Sequence, residues 1–502
     1  MKSIFEFVEK SAAKNPQKPA FVDVNSTLTY GELRDCSKSI ATQLAALEKR
    51  NCPVAIYIDK SVQVLPAMFG IACSNNFYIV VDTEMPLERV EKIFETLSPV
   101  AVVTDEAHLE KAKALGVDSV IVYEDAIAKP YDDDVLAEIF DRMIDTDPLY
   151  ALFTSGSTGM PKGAVINHKN VIAYSEWFVN AFDINEDTVF GNQTPFYFSM
   201  SVSDVYATIR AGATLCIVPK MYFAFPIKLI SYLNEQKINT IYWVPSAISI
   251  VANMQLFKYA KPEYLKKVLF AGEVMPTKQL NYWIENLPED TVFANLYGPT
   301  ETTDICTYYV VDRRFESGET LPIGKHCDNC DVMIVKEDGT LAEVGEEGEL
   351  YVRGSFVCFG YYNNEEKTSA AFVQNPLHNY YPELVYKTGD LVKENERGEI
   401  LYITRKDFQI KRMGYRVELG EIEAAASGID KIEESVCVFD KKQDKIILVY
   451  QAKKLDEVEI INALKSKIPA YMMPDRYERV KLMPHNQNGK IDRKQLENEL
   501  CE

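Results

Sequence analysis

Short apolar runs rich in β-branched and aromatic residues recur along the chain, and each is followed by a stretch with helical spacing. They are Val54 to Ile58, Tyr78 to Val81, Val100 to Val103 and Val120 to Tyr123, then Thr214 to Val218, Thr240 to Val244, Lys267 to Phe270 and Val292 to Leu296. Runs this short suit buried strands better than helices, and their alternation with helical stretches predicts an α/β fold of layered sheets with helices between them. From about Gly345 the strands crowd together, with turn signals at Glu337-Asp338-Gly339 and Glu396-Arg397-Gly398, which predicts a β-rich subdomain over about 310–406. The last hundred or so residues read as a separate cassette. It comprises a helix around Glu421 to Ser427, strands Ser435 to Phe439 and Lys445 to Gln451, and a helix from Glu457 to Lys467 that Ile468-Pro469 ends. The expected division is therefore 1–406 and 407–502, with the boundary near Asp407. At 502 residues the chain has ample length for two cores.

A formal charge of −20 argues against nucleic acid or an anionic membrane as a partner of the whole surface. Met1 to Ala12 lacks a basic start followed by an apolar stretch, and no apolar run approaches the roughly 18 residues needed to cross a bilayer. The expectation is a cytoplasmic protein without membrane insertion. Ten scattered cysteines suit a reduced compartment. Cys327 and Cys330, beside His326, form a single Cys-x-x-Cys that falls short of the four ligands of a structural zinc site, so they read as free thiols in a loop.

The stretch richest in chemistry is Thr154-Ser155-Gly156-Ser157-Thr158-Gly159-Met160-Pro161-Lys162-Gly163, directly after the apolar Leu149 to Phe153. Glycines let backbone N–H groups close on an anion, hydroxyls add donors, and a lysine adds charge. Its spacing differs from the common nucleotide loop, in which the lysine follows a glycine and precedes Ser or Thr. A flexible surface turn is the alternative, but the density of hydroxyls, glycines and lysine favours nucleotide phosphates.

At this loop the chain resembles the superfamily of adenylate-forming enzymes: acyl-CoA synthetases, luciferases and peptide-synthetase adenylation domains. Tyr297-Gly298-Pro299-Thr300-Glu301, Tyr386-Lys387-Thr388-Gly389-Asp390-Leu391, Arg405 to Lys411 with Gly414 to Glu423, and Asn488-Gly489-Lys490-Ile491-Asp492 continue the resemblance in order. Asp407 to Lys411, Gly414-Tyr415-Arg416 and Pro469-Ala470-Tyr471-Met472 resemble the stand-alone D-alanine:carrier-protein ligases most. Departures are Thr404, where that family usually has glycine, and Asn75-Asn76, where small residues are usual before Tyr78.

The resemblance implies a large amino-terminal domain, a mobile carboxy-terminal lid, and two half-reactions. A small carboxylic acid displaces pyrophosphate from ATP to give acyl-AMP, and the acyl group then passes to the phosphopantetheine thiol of a separate carrier protein. It implies that Thr154, Ser155, Gly156, Ser157, Thr158, Gly159 and Lys162 hold phosphates, that Thr300 contacts the nucleotide, that Tyr297 stacks on adenine, and that Asp390 takes the ribose hydroxyls. Glu301 would hold Mg²⁺, Arg405 would contact ribose or phosphate, and Lys490 would bridge the acid's carboxylate and the α-phosphate. Asp407 would be the hinge, and Gly414 would line the thiol's approach.

Duller explanations stand beside these. An Asp after Thr-Gly forms turns, a Lys after Asn-Gly sits in solvent, and Tyr-Gly-Pro can simply end a strand. Transfer to free coenzyme A, or a non-catalytic nucleotide-binding scaffold, are the competing functions.

For the acid, the same alignment implies a pocket of Phe198, Ser199, Met200, Ser203, Tyr242, Leu269, Ala271, Leu296, Asp304 and Ile305. Amino-acid-activating relatives usually have Asp where this chain has Ser199, and losing that charge-assisted bond removes ~1.5–3 kcal/mol of grip on an α-ammonium. Asp304 is then either a receptor for an amine or hydroxyl further along the substrate or a solvated loop residue. Asp204 reads as structural.

Overall fold

The computed structural model describes residues 1–154, 161–316, 319–406, 409–429, 431–452, 455–485 and 491–501. Each apolar run is a strand whose ends shift by about one residue, within the usual fraying of element boundaries. The chain forms two compact units. One holds Met1–Thr83, Ser98–Leu152 and Ala164–Thr404, and the other holds Glu84–Leu97, Phe153–Gly163 and Arg405–Glu502.

Three sheets account for the strands up to Arg405. A six-stranded sheet runs in the order Val120–Val122, Ala101–Thr104, Pro53–Tyr57, Phe77–Val80, Pro148–Thr154, Lys162–Asn167. Pro53–Tyr57, Phe77–Val80 and Ala101–Thr104 are buried along their whole length, as parallel strands covered on both faces must be. A nine-stranded sheet places Val292–Tyr297 beside Lys267–Ala271, then Thr240–Trp243, Val189–Asn192, Thr214–Ile217 and Pro19–Val22, all parallel. Thr307–Val310 closes one side of this run antiparallel to Val292–Tyr297. The third sheet is antiparallel and joins Cys330–Val335, Glu347–Gly354, Leu384–Glu394 and Phe372–Gln374, with Ile400–Arg405 also on Leu384–Glu394. Both expected turns lie here. Gly339 and Gly398 have φ of +82° and +73° and donate their N–H groups to Lys336 and Asn395 at 3.0 Å.

Helix His168–Ala181 begins at Asn167, whose side chain and that of Asn170 reciprocally cap the first turn. Its buried stripe of Val171, Tyr174, Trp177 and Phe178 follows the 3.6-residue period. Asn75 occupies a left-handed turn with φ of +56°, which asparagine tolerates, and the Asn76 amide oxygen accepts the Cys52 N–H at 3.1 Å. These two local demands account for the paired asparagines.

In the second unit, Gln409–Arg412 and Tyr415–Glu418 form a hairpin. Helix Leu419–Ser427 follows, and then strands Glu434–Asp440, Lys445–Gln451 and Arg476–Val480 form one sheet with helix Glu457–Lys465 between the last two in sequence. Ile422, Leu448, Ile460 and Leu464 sit in its core.

All ten cysteines are free. Cys327 lies in the turn that leads into strand Cys330–Val335 and Cys330 opens that strand, so the pair are free thiols at a loop as expected. Both are buried, and burial pushes the Cys330 thiol up to about 12, so it stays protonated. Among the described residues, no cluster of His, Cys, Asp or Glu is built to hold a metal, and no helix is long and apolar enough to cross a membrane.

Candidate active site

The site residues of the first unit gather where the parallel strands of the nine-stranded sheet end. In open parallel sheets ligands bind at the carboxyl ends of strands. Tyr297 is the last residue of Val292–Tyr297, and its carbonyl accepts the Cys306 N–H at 2.8 Å, closing the intervening residues into a loop. The closure explains Gly298, where a Cβ would lie 2.3 Å from the Asp304 oxygen and 2.5 Å from Ile305 Cα. Within the loop Thr300–Thr302 is a 3₁₀ turn, and Thr303 follows at φ +71°, ψ −58°. The Asp304 N–H reaches back to the Thr302 carbonyl at 2.9 Å, which makes this a γ-turn of the strained hand. A β-branched residue rarely adopts that conformation, and the Thr303 hydroxyl secures it by donating to the Phe356 carbonyl at 2.8 Å.

This turn separates two buried carboxylates, Glu301 and Asp304. Glu301 accepts the Tyr361 hydroxyl at Oε1, 2.6 Å away. Asp304 is 1% exposed, which corrects the solvated-loop alternative. Its Oδ2 accepts hydroxyls from Ser203 at 2.5 Å, Tyr242 at 3.1 Å and Tyr174 at 3.2 Å, and Tyr174 also lies 2.6 Å from the Ser203 oxygen. These donors come from helix Met200–Ala211, strand Thr240–Trp243 and helix His168–Ala181. Burial pushes the Asp304 carboxyl up to about 7 despite the three hydroxyls, and burial holds both tyrosines above their ordinary value, so they serve as neutral donors.

Of the remaining residues nominated for the acid pocket, Leu269, Ala271 and Leu296 share one face of the sheet with Tyr242. Tyr242 pairs with Leu269, Ala271 pairs with Leu296, and Leu269 and Ala271 are two apart on one strand. Leu269, Ala271, Leu296 and Ile305 are all buried. Phe198 and Ser199 are half-buried just before helix Met200–Ala211, and Met200, its first residue, is buried. Asp204 accepts the Asn192 amide at 2.7 Å, as a structural residue would. Burial raises its carboxyl and lowers the ammonium of nearby Lys60.

The Tyr297 hydroxyl donates to Asp390 Oδ2, joining the residue nominated for adenine to the one nominated for ribose. Thr388-Gly389-Asp390 is not the turn its composition suggests. It lies inside strand Leu384–Glu394 as a bulge, where the register against Glu347–Gly354 shifts between Glu349 and Tyr351. Gly389 has φ of +75° and donates its N–H to Glu349 at 3.0 Å, while Asp390 is 2% exposed.

Thr300 is buried in the 3₁₀ turn. In the second unit, the Thr154 hydroxyl is buried with no partner among the described residues, Lys162 opens strand Lys162–Asn167, and Arg405 ends strand Ile400–Arg405. Gly414 follows Met413 in a two-residue hairpin in which both have positive φ, +50° and +80°. The turn itself therefore calls for glycine, asparagine or aspartate there, independently of any role toward a thiol. Ser155, Gly156, Ser157, Thr158, Gly159, Asp407 and Lys490 lie outside the described residues.

Sequence reasoning passed over Tyr174 and Tyr361. Tyr174 sits in an aromatic stripe that reads as core, and Tyr361 follows the apolar Phe356 to Phe359 with only Gly360 as a signal.

The AMP-binding enzyme family matches residues 8–362. The D-alanine–D-alanyl carrier protein ligase of Bacillus cereus (strain B4264) is 31% identical over 520 residues, covering 99% of each chain. Two solved structures share the fold. NpsA-ThdA, an artificially fused adenylation–PCP di-domain NRPS from Klebsiella oxytoca, superposes with a TM-score of 0.82 at 18% identity, covering 95% of this chain and 94% of that one. A double mutant of o-succinylbenzoate CoA synthetase from Bacillus subtilis gives 0.83 at 20% identity, covering 98% of each. With a match across most of its length and a full-length relative, the chain belongs to the AMP-binding enzyme family and is an adenylate-forming ligase.

Proposed function

We propose that the protein joins a small carboxylic acid to AMP with release of pyrophosphate, and then passes the acyl group to the phosphopantetheine thiol of a separate carrier protein. The observation that carries the substrate reading is Asp304: a fully buried carboxylate that receives three neutral hydroxyls and, among the described residues, no cation. A buried charge without a counter-charge is costly, and hydroxyl dipoles offset only part of that cost. An ammonium on the substrate would supply the missing charge. The acid's carboxylate must face the α-phosphate, so the ammonium belongs further along the chain, as in a β-amino or ω-amino acid, whose aliphatic amine is charged at neutral pH; a substituted aromatic acid would offer a neutral amine or hydroxyl instead. Ser199, which gives no charge to an α-ammonium, agrees with that placement.

In the first step a carboxylate oxygen bonds to the α-phosphorus as the bond to the bridging oxygen of pyrophosphate breaks. The acid is already ionised at neutral pH, so positioning and charge neutralisation do most of the work. Tyr297 and Asp390 form one hydrogen-bonded pair that suits an adenosine, stacking on the base and accepting from the ribose. Thr154 offers a buried hydroxyl to phosphate, and Lys162, Arg405 and Lys490 keep the roles that the resemblance implies. Glu301 is a buried carboxylate with hard oxygen donors, belonging to no His, Cys, Asp or Glu metal cluster among the described residues, and such a donor fits Mg²⁺ brought in on a triphosphate. Bound there, Mg²⁺ would neutralise phosphate charge. In the second step the thiol sulfur bonds to the acyl carbon and AMP leaves. A lid hinged at Asp407 would keep water from the mixed anhydride in between. Free thiols at all ten cysteines support a reduced compartment such as the cytoplasm.

The 31% identical relative favours D-alanine as a second reading. Pyrophosphate exchange with a panel of D-alanine, β-alanine, longer ω-amino acids, aminobenzoates and hydroxy acids separates the two. Preference for an acid with a remote amine is expected, and preference for D-alanine would remove the role given to Asp304. No exchange with any acid would sink the whole reading. Mass analysis of products formed with coenzyme A or with a pantetheinylated carrier identifies the acceptor.

A further inference from the structure

One segment outside every sequence motif for the chemistry is tied closely to the residues within them. Ser355 to Tyr361 crosses the loop that carries Glu301, and nearly every residue in it is fastened. The Asn170 amide donates to the carbonyls of Ser355 and Val357 at 2.7 and 3.0 Å, and Thr303 donates to that of Phe356. The Cys358 N–H donates to the Glu301 carbonyl at 3.0 Å. Phe359 and Gly360 exchange hydrogen bonds with Val165 at 3.2 and 2.9 Å, in the strand that continues from Lys162. Gly360 has φ of +129°, and a Cβ there would lie 2.4 Å from Thr368 Cγ2, so the bend has no room for a side chain. The strap ends at Tyr361, 6% exposed, its N–H donating to the Thr368 hydroxyl at 2.9 Å and its ring 5.7 Å from Phe372.

We infer that Tyr361 is a positioning residue: its hydroxyl, delivered by this strap, holds the Glu301 carboxylate in the orientation that receives the metal on the bound nucleotide. The torsion that turns a glutamate carboxylate is broad, so a fixed donor at Oε1 sets which way the group faces. A bond of 2.6 Å from a neutral donor to a carboxylate is of the strong, charge-assisted kind. The backbone bond from Cys358 holds the same residue from behind, so the strap fixes both main chain and side chain of Glu301.

The inference rests on the Mg²⁺ reading of Glu301 above, and the test separates the two. ATP binding is measured by calorimetry on the full chain with Mg²⁺ and with EDTA, for the parent, Tyr361→Phe, Glu301→Gln and the double variant. Tyr361→Phe keeps the ring against Phe372. It is expected to lose ~10-fold of the tightening that Mg²⁺ confers, with ATP affinity in EDTA unchanged. The double variant is expected to lose no more than Glu301→Gln alone, because both substitutions act through one carboxylate. Tyr361→Phe retaining the full Mg²⁺ effect, weakening ATP equally in EDTA, or adding its whole loss to that of Glu301→Gln would overturn the inference while leaving Glu301 in place. A Glu301→Gln variant with the parent's Mg²⁺ effect would remove the metal reading and this inference together.

Discussion

Replacing Asp304 with asparagine removes the charge while keeping an oxygen for Ser203, Tyr174 and Tyr242. The rise of the Asp304 carboxyl from 3.8 to about 7 corresponds to ~4 kcal/mol against its charged form. Two consequences follow, of opposite sign. An amine-bearing acid needs the ionised form, so kcat/KM for pyrophosphate release should fall ~tenfold per pH unit below about 7 and level off above it. The substrate's own ammonium and carboxylate do not titrate in that window. Asp304→Asn should flatten the profile and lower kcat/KM for such acids at pH 8 by ~10- to 100-fold, the loss of a charge-assisted bond. Stability moves the other way. The folded carboxyl holds its proton between pH 3.8 and about 7 while the unfolded one releases it, so the parent loses up to ~4 kcal/mol across that range as pH rises. The variant should therefore gain on the parent in urea midpoint from pH 4 to pH 8. An unchanged pH profile for an amine-bearing acid, together with an unchanged midpoint difference, would refute the assignment of Asp304 as a buried receptor.

Gly298→Ala puts a methyl against the backbone of Asp304 and Ile305, and should cost ~1–3 kcal/mol in chemical denaturation and abolish pyrophosphate exchange. Exchange at the parent rate would mean the closed loop is not needed for chemistry. Gly414→Asn retains the left-handed turn, so exchange should persist, while thioester formation with a pantetheinylated carrier should drop at least ~10-fold if Gly414 borders the thiol path. Equal rates in both steps would leave the hairpin as the glycine's whole purpose. His168 is buried and lowered to about 4 by desolvation, with Nδ1 accepting the Ile4 N–H at 3.2 Å. The unfolded imidazole takes a proton below about 6.5 and the folded one resists until about 4, so stability is lost as pH falls through that window. His168→Gln should reduce that acid slope, measured as urea midpoints from pH 7 to 4, by up to ~3 kcal/mol.

The strands were readable because a parallel strand covered on both faces must be apolar throughout, and Pro53–Tyr57 or Phe77–Val80 has no other way to be buried. The same reasoning hides Tyr174, since an aromatic in a helical stripe looks identical whether it fills a core or aims its hydroxyl at a carboxylate. Asp390 misleads for a different cause. Thr-Gly-Asp carries turn chemistry, and only the shifted register against Glu349 turns it into a bulge that buries the aspartate. The inclusion of Glu84–Leu97 and Phe153–Gly163 in the second unit is a tertiary fact without any local signature.

Asp304 shows best where local reading ends. It follows Thr302-Thr303, which marks it as a polar loop residue, and its burial depends on a glycine upstream, a strained threonine beside it and three hydroxyls from distant elements. Glu301, on the other side of that threonine, takes its partner from a separate strap. Because the two carboxylates share a loop but take their hydroxyl donors from different residues, exchanging Ser203 or Tyr242 can alter what the acid pocket accepts without removing the bond from Tyr361. One rigid turn thus lets substrate preference vary independently of the nucleotide chemistry, which an enzyme family that activates many acids by one reaction requires.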